Sequence, residues 1–350
     1  MKPEDLVRPE ILALKAYPVA SSEGMVKLDA MENPYPLPPA MRRELAQVLA
    51  GVELHRYPDP RAPKLRELLK RKMNVPAGME VLLGNGSDDL IQVLALALAR
   101  PGAVMMYPAP TFVMYAMNAA FSGMRAVAVP LREDFSFDAD AFLERMKAEK
   151  PALVFLAYPN NPTGVLYEEK DIERVIRACP GLVVLDEAYH VFAGRTFMSR
   201  LAEFSNLLVL RTVSKLGLAG IRLGYLAGPP AWIGELDKVR QVYNVNVLTQ
   251  AAAIFVLERL EVLEAQAAQI RKDREALKAE LEKLKGMTVF PSAANFFLVR
   301  VADAPATFEA LRRQGVLVRN LHPGVKDCLR VTVGTPDENR ILLTALREAL

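Results

Sequence analysis

Leu207-Leu-Val-Leu-Arg-Thr-Val-Ser-Lys-Leu-Gly-Leu-Ala-Gly-Ile-Arg222 opens on an apolar run of strand type, then sets Lys215 between hydroxyl residues and glycines, with an arginine a short distance on. A lysine amine is the side chain that forms a Schiff base with a carbonyl compound. Thr212, Ser214 and Arg222 are hydroxyl and guanidinium donors suited to holding a phosphate beside it. Alone, such a stretch is more often an ordinary loop between a strand and a helix. Its neighbours along the chain decide the matter.

Upstream, short apolar strands alternate with helices. The pattern predicts strands at 81–83, 103–107, 125–129, 152–157, 182–185 and 207–210, and helices at 90–99, 111–121, 139–148 and 168–178. Continuous apolar strands alternating with helices predict an α/β fold, a mostly parallel sheet covered by helices on both faces. In open sheets of this kind ligands lie beyond the carboxyl ends of the strands. Polar clusters fall there: Tyr158-Pro-Asn-Asn-Pro-Thr-Gly164, Asp186-Glu-Ala-Tyr189 and the Lys215 stretch. Gly84-Asn-Gly-Ser-Asp-Asp89, between a strand and a helix, leaves first-turn N–H groups free for an anion at Ser87 and Asp88. Ser87 reads equally well as a simple N-cap.

Residues 1–32 read as an N-terminal arm with little regular structure, followed by Asn33-Pro-Tyr-Pro-Leu-Pro-Pro39, whose prolines forbid a helix. Residues 33–248 form the large unit. A long helix predicted over 249–284 leads into a smaller α+β unit, so that 249–350 make the third part. Its strands are predicted at 287–290, 295–301, 316–319 and 329–333, and its last helix opens on a capping box, Thr335-Pro-Asp-Glu338.

The 350 residues are 51% hydrophobic and 24% charged, with a net charge of +3 and acidic and basic residues interspersed. No basic patch points to nucleic acid or a membrane surface. Apolar runs fall well short of the roughly 20 residues that span a bilayer, and the first residues lack the pattern of a secretory leader. Cys179 and Cys328 stand far apart without a Cys-x-x-Cys spacing or nearby histidines. That argues against a disulfide framework or a metal site, and for free thiols in the cytoplasm.

Taken in order, Met31-Glu-Asn-Pro-Tyr, Tyr57-Pro-Asp-Pro, Gly84-Asn-Gly-Ser-Asp, Pro110-Thr-Phe, Pro159-Asn-Asn-Pro-Thr-Gly, Asp186-Glu-Ala-Tyr, Thr212-Val-Ser-Lys, Gly220-Ile-Arg, Pro291-Ser-Ala-Ala-Asn-Phe and Leu329-Arg-Val-Thr-Val-Gly span nearly the whole chain. The ordered set resembles the fold type I pyridoxal-phosphate aminotransferases, and within them the histidinol-phosphate aminotransferases. The resemblance implies pyridoxal 5'-phosphate on Lys215. It implies Asp186 at the pyridine nitrogen, Asn161 and Tyr189 at the ring oxygen, and Phe112 on the ring face. Ser87, Asp88, Thr212, Ser214 and Arg222 would share the cofactor phosphate, joined by Tyr57 from the neighbouring subunit of a homodimer with shared active sites. Arg330 would receive the substrate carboxylate in bidentate fashion. Arg319, Tyr17 and Asn33 would contact a substrate phosphate. Asp89 stands where glutamate is usual in the family, and the stretch from Lys215 to Arg222 is one residue shorter than in many relatives.

The implied reaction moves an amino group between L-histidinol phosphate and 2-oxoglutarate, an amino donor and a 2-oxo acid, in histidine biosynthesis. An aromatic aminotransferase, a threonine-phosphate decarboxylase and a catalytically inactive regulatory module on the same fold are the alternatives.

Overall fold

Strands of five or six residues, most of them buried apolar runs, build the sheet that carries the cleft. The computed structural model describes residues 1–16 and 20–350. In chain order the strands are β1 (Val26–Lys27), β2 (Glu80–Asn85), β3 (Val104–Ala109), β4 (Arg125–Pro130), β5 (Leu153–Ala157), β6 (Leu182–Asp186), β7 (Leu207–Thr212) and β8 (Leu223–Gly228). There follow β9 (Thr288–Val289), β10 (Phe296–Arg300), β11 (Val316–Leu317), β12 (Arg319–Asn320) and β13 (Cys328–Thr332). Among the described residues they form a seven-stranded sheet ordered β2-β8-β7-β6-β5-β3-β4, a four-stranded sheet ordered β12-β13-β10-β9, and the pair β1-β11.

The pairs among β3 to β7 are parallel, while β8 runs antiparallel to both β2 and β7. β5, β6 and β7 are buried along their whole length, which is why they read as unbroken apolar runs. Separate apolar cores cover the two faces of this sheet. A third core lies on the four-stranded sheet and includes Leu28, Met31, Tyr189 and Phe192.

Three expectations are corrected. β8 was not expected, because Leu223-Gly-Tyr-Leu-Ala-Gly228 carries two glycines where strands usually carry branched residues. The structure gives their reason. A Cβ at Gly224 would lie 2.5 Å from the carbonyl carbon of Gly86, and one at Gly228 would lie 2.1 Å from Leu208 Cδ2. The strand is glycine-marked for close approach, not broken.

The helix expected over 249–284 is two helices, Val247–Leu257 and Leu260–Leu281. They part at Arg259, which takes a non-helical φ of -115° with its guanidinium 3.9 Å from the centre of the Phe255 ring. The strand expected at 316–319 is likewise divided. β11 pairs in parallel with β1 of the arm, and β12 pairs with β13. Residues 1–32 therefore include a strand as well as the short helix Pro9–Leu12. The last helix, Pro336–Ala349, has its capping box, with Thr335 and Glu338 exchanging hydrogen bonds.

Candidate active site

β6 ends on Asp186, and the apolar strand behind it delivers the carboxylate to a buried position. Tyr115 donates its hydroxyl to Oδ2 at 2.7 Å, and the Ala188 N–H donates to Oδ1 at 3.1 Å. Burial raises the carboxyl pKa to about 6, against the opposing pull of these two hydrogen bonds. Both of these contacts are neutral groups.

β7 ends on Thr212, after which Ser214–Leu218 forms a π-type turn whose Gly217 has φ 135°. Only glycine takes that conformation readily, and a Cβ there would also lie 2.8 Å from Asn33 Nδ2. The turn brings Lys215 into the cleft with Asp186. Its Nζ donates to the Ala30 carbonyl at 2.8 Å and lies 6.0 Å from the centre of the Tyr189 ring. Burial, and then the positive charge of Arg330, lower its pKa to about 8, although Glu32 and Asp88 pull the other way. A lysine so placed keeps a sizeable neutral fraction at neutral pH, where an ordinary lysine keeps less than about one part in a thousand.

The short connection from Lys215 to Arg222 closes with a 3-10 turn, Ala219–Ile221, and Arg222 at a left-handed φ of 51°. Arg222 then turns back toward Ser214 Oγ, with Nη1 at 3.5 Å, and toward Asp88 Oδ2, with Nη2 at 3.2 Å. Thr212 donates its hydroxyl to Ser214 Oγ at 2.8 Å. Facing them is the start of the helix Ser87–Leu98, with its first-turn N–H groups. Its N-cap is Gly86, so Ser87 is the first helical residue and not the cap. A Cβ at Gly86 would lie 2.6 Å from Arg222 Nη2. Glycine there lets the guanidinium lie against the helix start, in the same cleft as the Thr212 and Ser214 hydroxyls.

Ser87, Asp88, Phe112, Asn161, Asp186, Tyr189, Thr212, Ser214, Lys215 and Arg222 thus line a single cleft. Arg330 borders it, donating to Asn161 Oδ1 at 2.6 Å and to the Asp29 carbonyl at 2.7 Å. Phe112 meets Tyr115 edge-on, ring centres 5.8 Å apart. Arg319 is half-buried on β12, directly opposite Arg330 in the ladder. Asn33 directs its amide to the Leu216 carbonyl at 3.0 Å and to Gln266 Oε1 at 2.9 Å, so it braces the turn that carries Lys215. Tyr57 is 80% exposed, stacked on Tyr243 with ring centres 4.5 Å apart, and is not a wall of the cleft. Tyr17 lies outside the described residues. Asp89 accepts from the Asn85 N–H and from Asn244 Nδ2, which stabilises the turn before the helix.

Sequence reasoning passed over Tyr115, Glu187 and Arg211. Tyr115 reads as one more core aromatic, and it does stack on Phe155 with ring centres 4.5 Å apart. Its signal was its place just after Pro110-Thr-Phe, at the carboxyl end of a parallel strand. No described helix is long and apolar enough to cross a membrane, and among the described residues no cluster of potential metal ligands occurs.

The family described as aminotransferase class I and II matches residues 23–346. A histidinol-phosphate aminotransferase of Cupriavidus pinatubonensis is 57% identical, covering 99% of this chain and 97% of that protein. One from Burkholderia lata is 54% identical, with 99% of each chain covered. Among solved structures, histidinol-phosphate aminotransferase from Sinorhizobium meliloti in complex with pyridoxal-5'-phosphate superposes with a TM-score of 0.87 at 26% identity, over 98% of this chain and 97% of that one. L-threonine-O-3-phosphate decarboxylase from Porphyromonas gingivalis shares the fold, with a TM-score of 0.79 at 22% identity over 93% of this chain and 99% of that one. The chain belongs to the class I and II aminotransferase family, and within it to the histidinol-phosphate aminotransferases.

Proposed function

We propose that this chain is a pyridoxal-phosphate-dependent transaminase that moves an amino group between L-histidinol phosphate and 2-oxoglutarate, a step of histidine biosynthesis. The observation that carries the reading is the meeting, at the carboxyl ends of β5 to β7, of a lysine with a lowered pKa, a buried carboxylate and an anion cradle. The donor set fits the cofactor. Lys215 offers the amine that attaches it, Asp186 offers a ring N–H a carboxylate held by the neutral Tyr115 hydroxyl and Ala188 N–H, and Ser87, Thr212, Ser214 and Arg222 offer donors to its phosphate.

When bound, pyridoxal phosphate supplies a carbonyl that takes up the amino group and a ring that spreads the electron density released at the substrate α-carbon. Lys215 Nζ would take the proton from the substrate α-carbon and hand it to the carbon that receives the amino group, a task that needs a base neutral near working pH. Asp186 would pair with the ring nitrogen and keep it protonated. Tyr189 and Asn161 would hold the ring oxygen, and Phe112 would cover a ring face. Arg330 takes the substrate carboxylate of the 2-oxo acid, exchanging its present contact with Asn161. Arg319, with Tyr17 and Asn33, serves the substrate phosphate. Tyr57, exposed beside Tyr243, suits a contact to the cofactor phosphate of a second copy, which makes a homodimer the working unit. Cys179 and Cys328 are free buried thiols, which suits a cytoplasmic enzyme.

The test is a panel of half-reactions. Rapid mixing of the yellow holoenzyme with L-histidinol phosphate is expected to bleach its visible absorbance at least about 100-fold faster than phenylalanine or threonine phosphate does. A pocket built to bind a group leaves polar atoms unpaired when that group is missing or misplaced. Fast bleaching by phenylalanine and none by L-histidinol phosphate would overturn the substrate.

Tyr115→Phe tests the setting of Asp186. The Tyr115 hydroxyl favours the ionised carboxylate, so its removal raises the Asp186 pKa further above about 6. Affinity of the apoenzyme for pyridoxal phosphate is expected to fall roughly tenfold at pH 6, in line with about 1.5 kcal/mol for a hydrogen bond to a charged group. At pH 8, where the carboxylate is ionised regardless, the fall is smaller. Equal losses at both pH values in a fluorescence titration would refute this account.

A further inference from the structure

Glu187 and Arg211 each adjoin a cleft residue, Asp186 and Thr212, yet neither lines the cleft. Successive side chains of a strand point to opposite faces, so the two meet behind the sheet. Their exposures are 0% and 4%. Arg211 donates from Nε and Nη2 to Glu187 Oε2 at 3.0 and 2.8 Å. Its Nη2 also reaches Thr196 Oγ1 at 2.7 Å, and its Nη1 reaches the Tyr225 hydroxyl on β8 at 3.4 Å. Thr196 Oγ1 lies 3.0 and 2.7 Å from the two Glu187 oxygens and gives its one proton to one of them. The Phe197 N–H donates to Glu187 Oε1 at 2.6 Å.

The place of this network in the register gives it a purpose. The β6–β7 ladder runs from Val183↔Leu207 to Asp186↔Leu210 and stops there. The residues that carry the chemistry, 186–189 on one strand end and 212–215 on the other, lie at or beyond its last rung. Glu187 and Arg211 are the next facing pair. Their side chains continue the tie one step past the backbone ladder, helped by the Glu187 N–H donating to the Leu210 carbonyl at 2.8 Å. A buried ion pair is poor as a source of stability, since apolar residues of similar volume do as well. A two-nitrogen grip on a carboxylate is good at fixing relative position.

We propose that Glu187, Arg211 and Thr196 form a positioning element that sets the spacing between the Asp186 carboxylate and the Lys215 amine. It touches neither substrate nor cofactor. The inference rests on the roles given above to Lys215 and Asp186.

The test compares holoenzyme variants by kcat and KM for L-histidinol phosphate and 2-oxoglutarate, by thermal melting, and by the pH midpoint of the visible absorbance. Glu187→Gln is expected to lower kcat about 10- to 100-fold, the scale of an ångström-level misplacement. Both KM values should stay within about threefold, and the absorbance midpoint should move by about half a pH unit or more. The double variant Glu187→Gln/Arg211→Met, which leaves no buried charge unpaired, is expected to regain melting temperature but not kcat. Recovery of kcat together with melting temperature would overturn the proposal, as would a Glu187→Gln enzyme that melts lower with kcat and absorbance midpoint unchanged. If Glu187→Gln does not fold, Thr196→Val decides, because it keeps the ion pair. A fall in kcat of about 3- to 10-fold at constant KM supports positioning, and an unchanged kcat overturns it. Borohydride treatment followed by peptide mass analysis keeps the two readings apart. A parent enzyme without cofactor fixed to Lys215 sinks the assignment of Lys215, whereas normal fixation with unchanged variant kcat sinks the positioning role alone.

Discussion

Lys215→Ala is expected to reduce turnover of L-histidinol phosphate with 2-oxoglutarate by roughly 10⁴-fold or more, because one side chain supplies both the attachment point and the base. The same change should abolish borohydride fixation of cofactor to the chain, read by mass analysis of the 211–222 peptide. Its effect on stability has the opposite character. The lysine pKa is lowered from 10.5 to about 8 in the folded protein, chiefly by burial. Between those values the unfolded chain binds more protons, so folding carries a penalty that is full below pH 8 and is relieved as pH rises to 10.5. The alanine apoprotein should therefore melt no lower than the parent apoprotein at pH 7, with its relative advantage shrinking toward pH 10. Turnover within tenfold of the parent would mean that another group is the reactive amine.

How much of this was visible in the sequence follows from where each signal resides. Strands buried on both faces announce themselves as apolar runs, and polar clusters just past them mark the cleft, so the residues at the ends of β5, β6 and β7 could be read directly. β8 was hidden because Gly224 and Gly228 answer to neighbours distant in sequence, the Gly86 turn and Leu208. The break at Arg259 carries no glycine or proline to mark it. Glu187 and Arg211 carry no local signal, since isolated acidic and basic residues are usually surface groups. Their pairing depends on strand register across 24 residues, which no local pattern encodes. Asn33 was legible as a residue of the region but not in its contacts, since its partners Leu216 and Gln266 come from two other segments.

Asp186→Asn should separate stability from catalysis most sharply. The carboxyl pKa is raised from 3.8 to about 6 by burial. A raised acid pKa means that the folded protein binds the extra proton between those values. The penalty for holding the carboxylate ionised is absent below about pH 4, grows through pH 6 and is full above it. Two pKa units correspond to at most about 3 kcal/mol, so the asparagine apoprotein should be as stable as the parent or more so at pH 8. The difference should fade toward pH 4. The amide oxygen can still accept from Tyr115, but the –NH₂ group cannot accept from the Ala188 N–H, which takes back part of the gain. With cofactor bound the balance reverses. A neutral amide cannot balance a positive ring nitrogen, and loss of such a fixed charge opposite developing charge costs roughly 10²- to 10³-fold in kcat. Melts of apoprotein and holoenzyme at pH 5 and pH 8, with kcat at pH 8, decide the point. An asparagine variant that turns over normally, or whose apoprotein is less stable at pH 8 than the parent, would make Asp186 an ordinary structural acid. The expected crossing, a more stable apoprotein and a slower enzyme, is the mark of a buried charge kept for a ligand rather than for the fold.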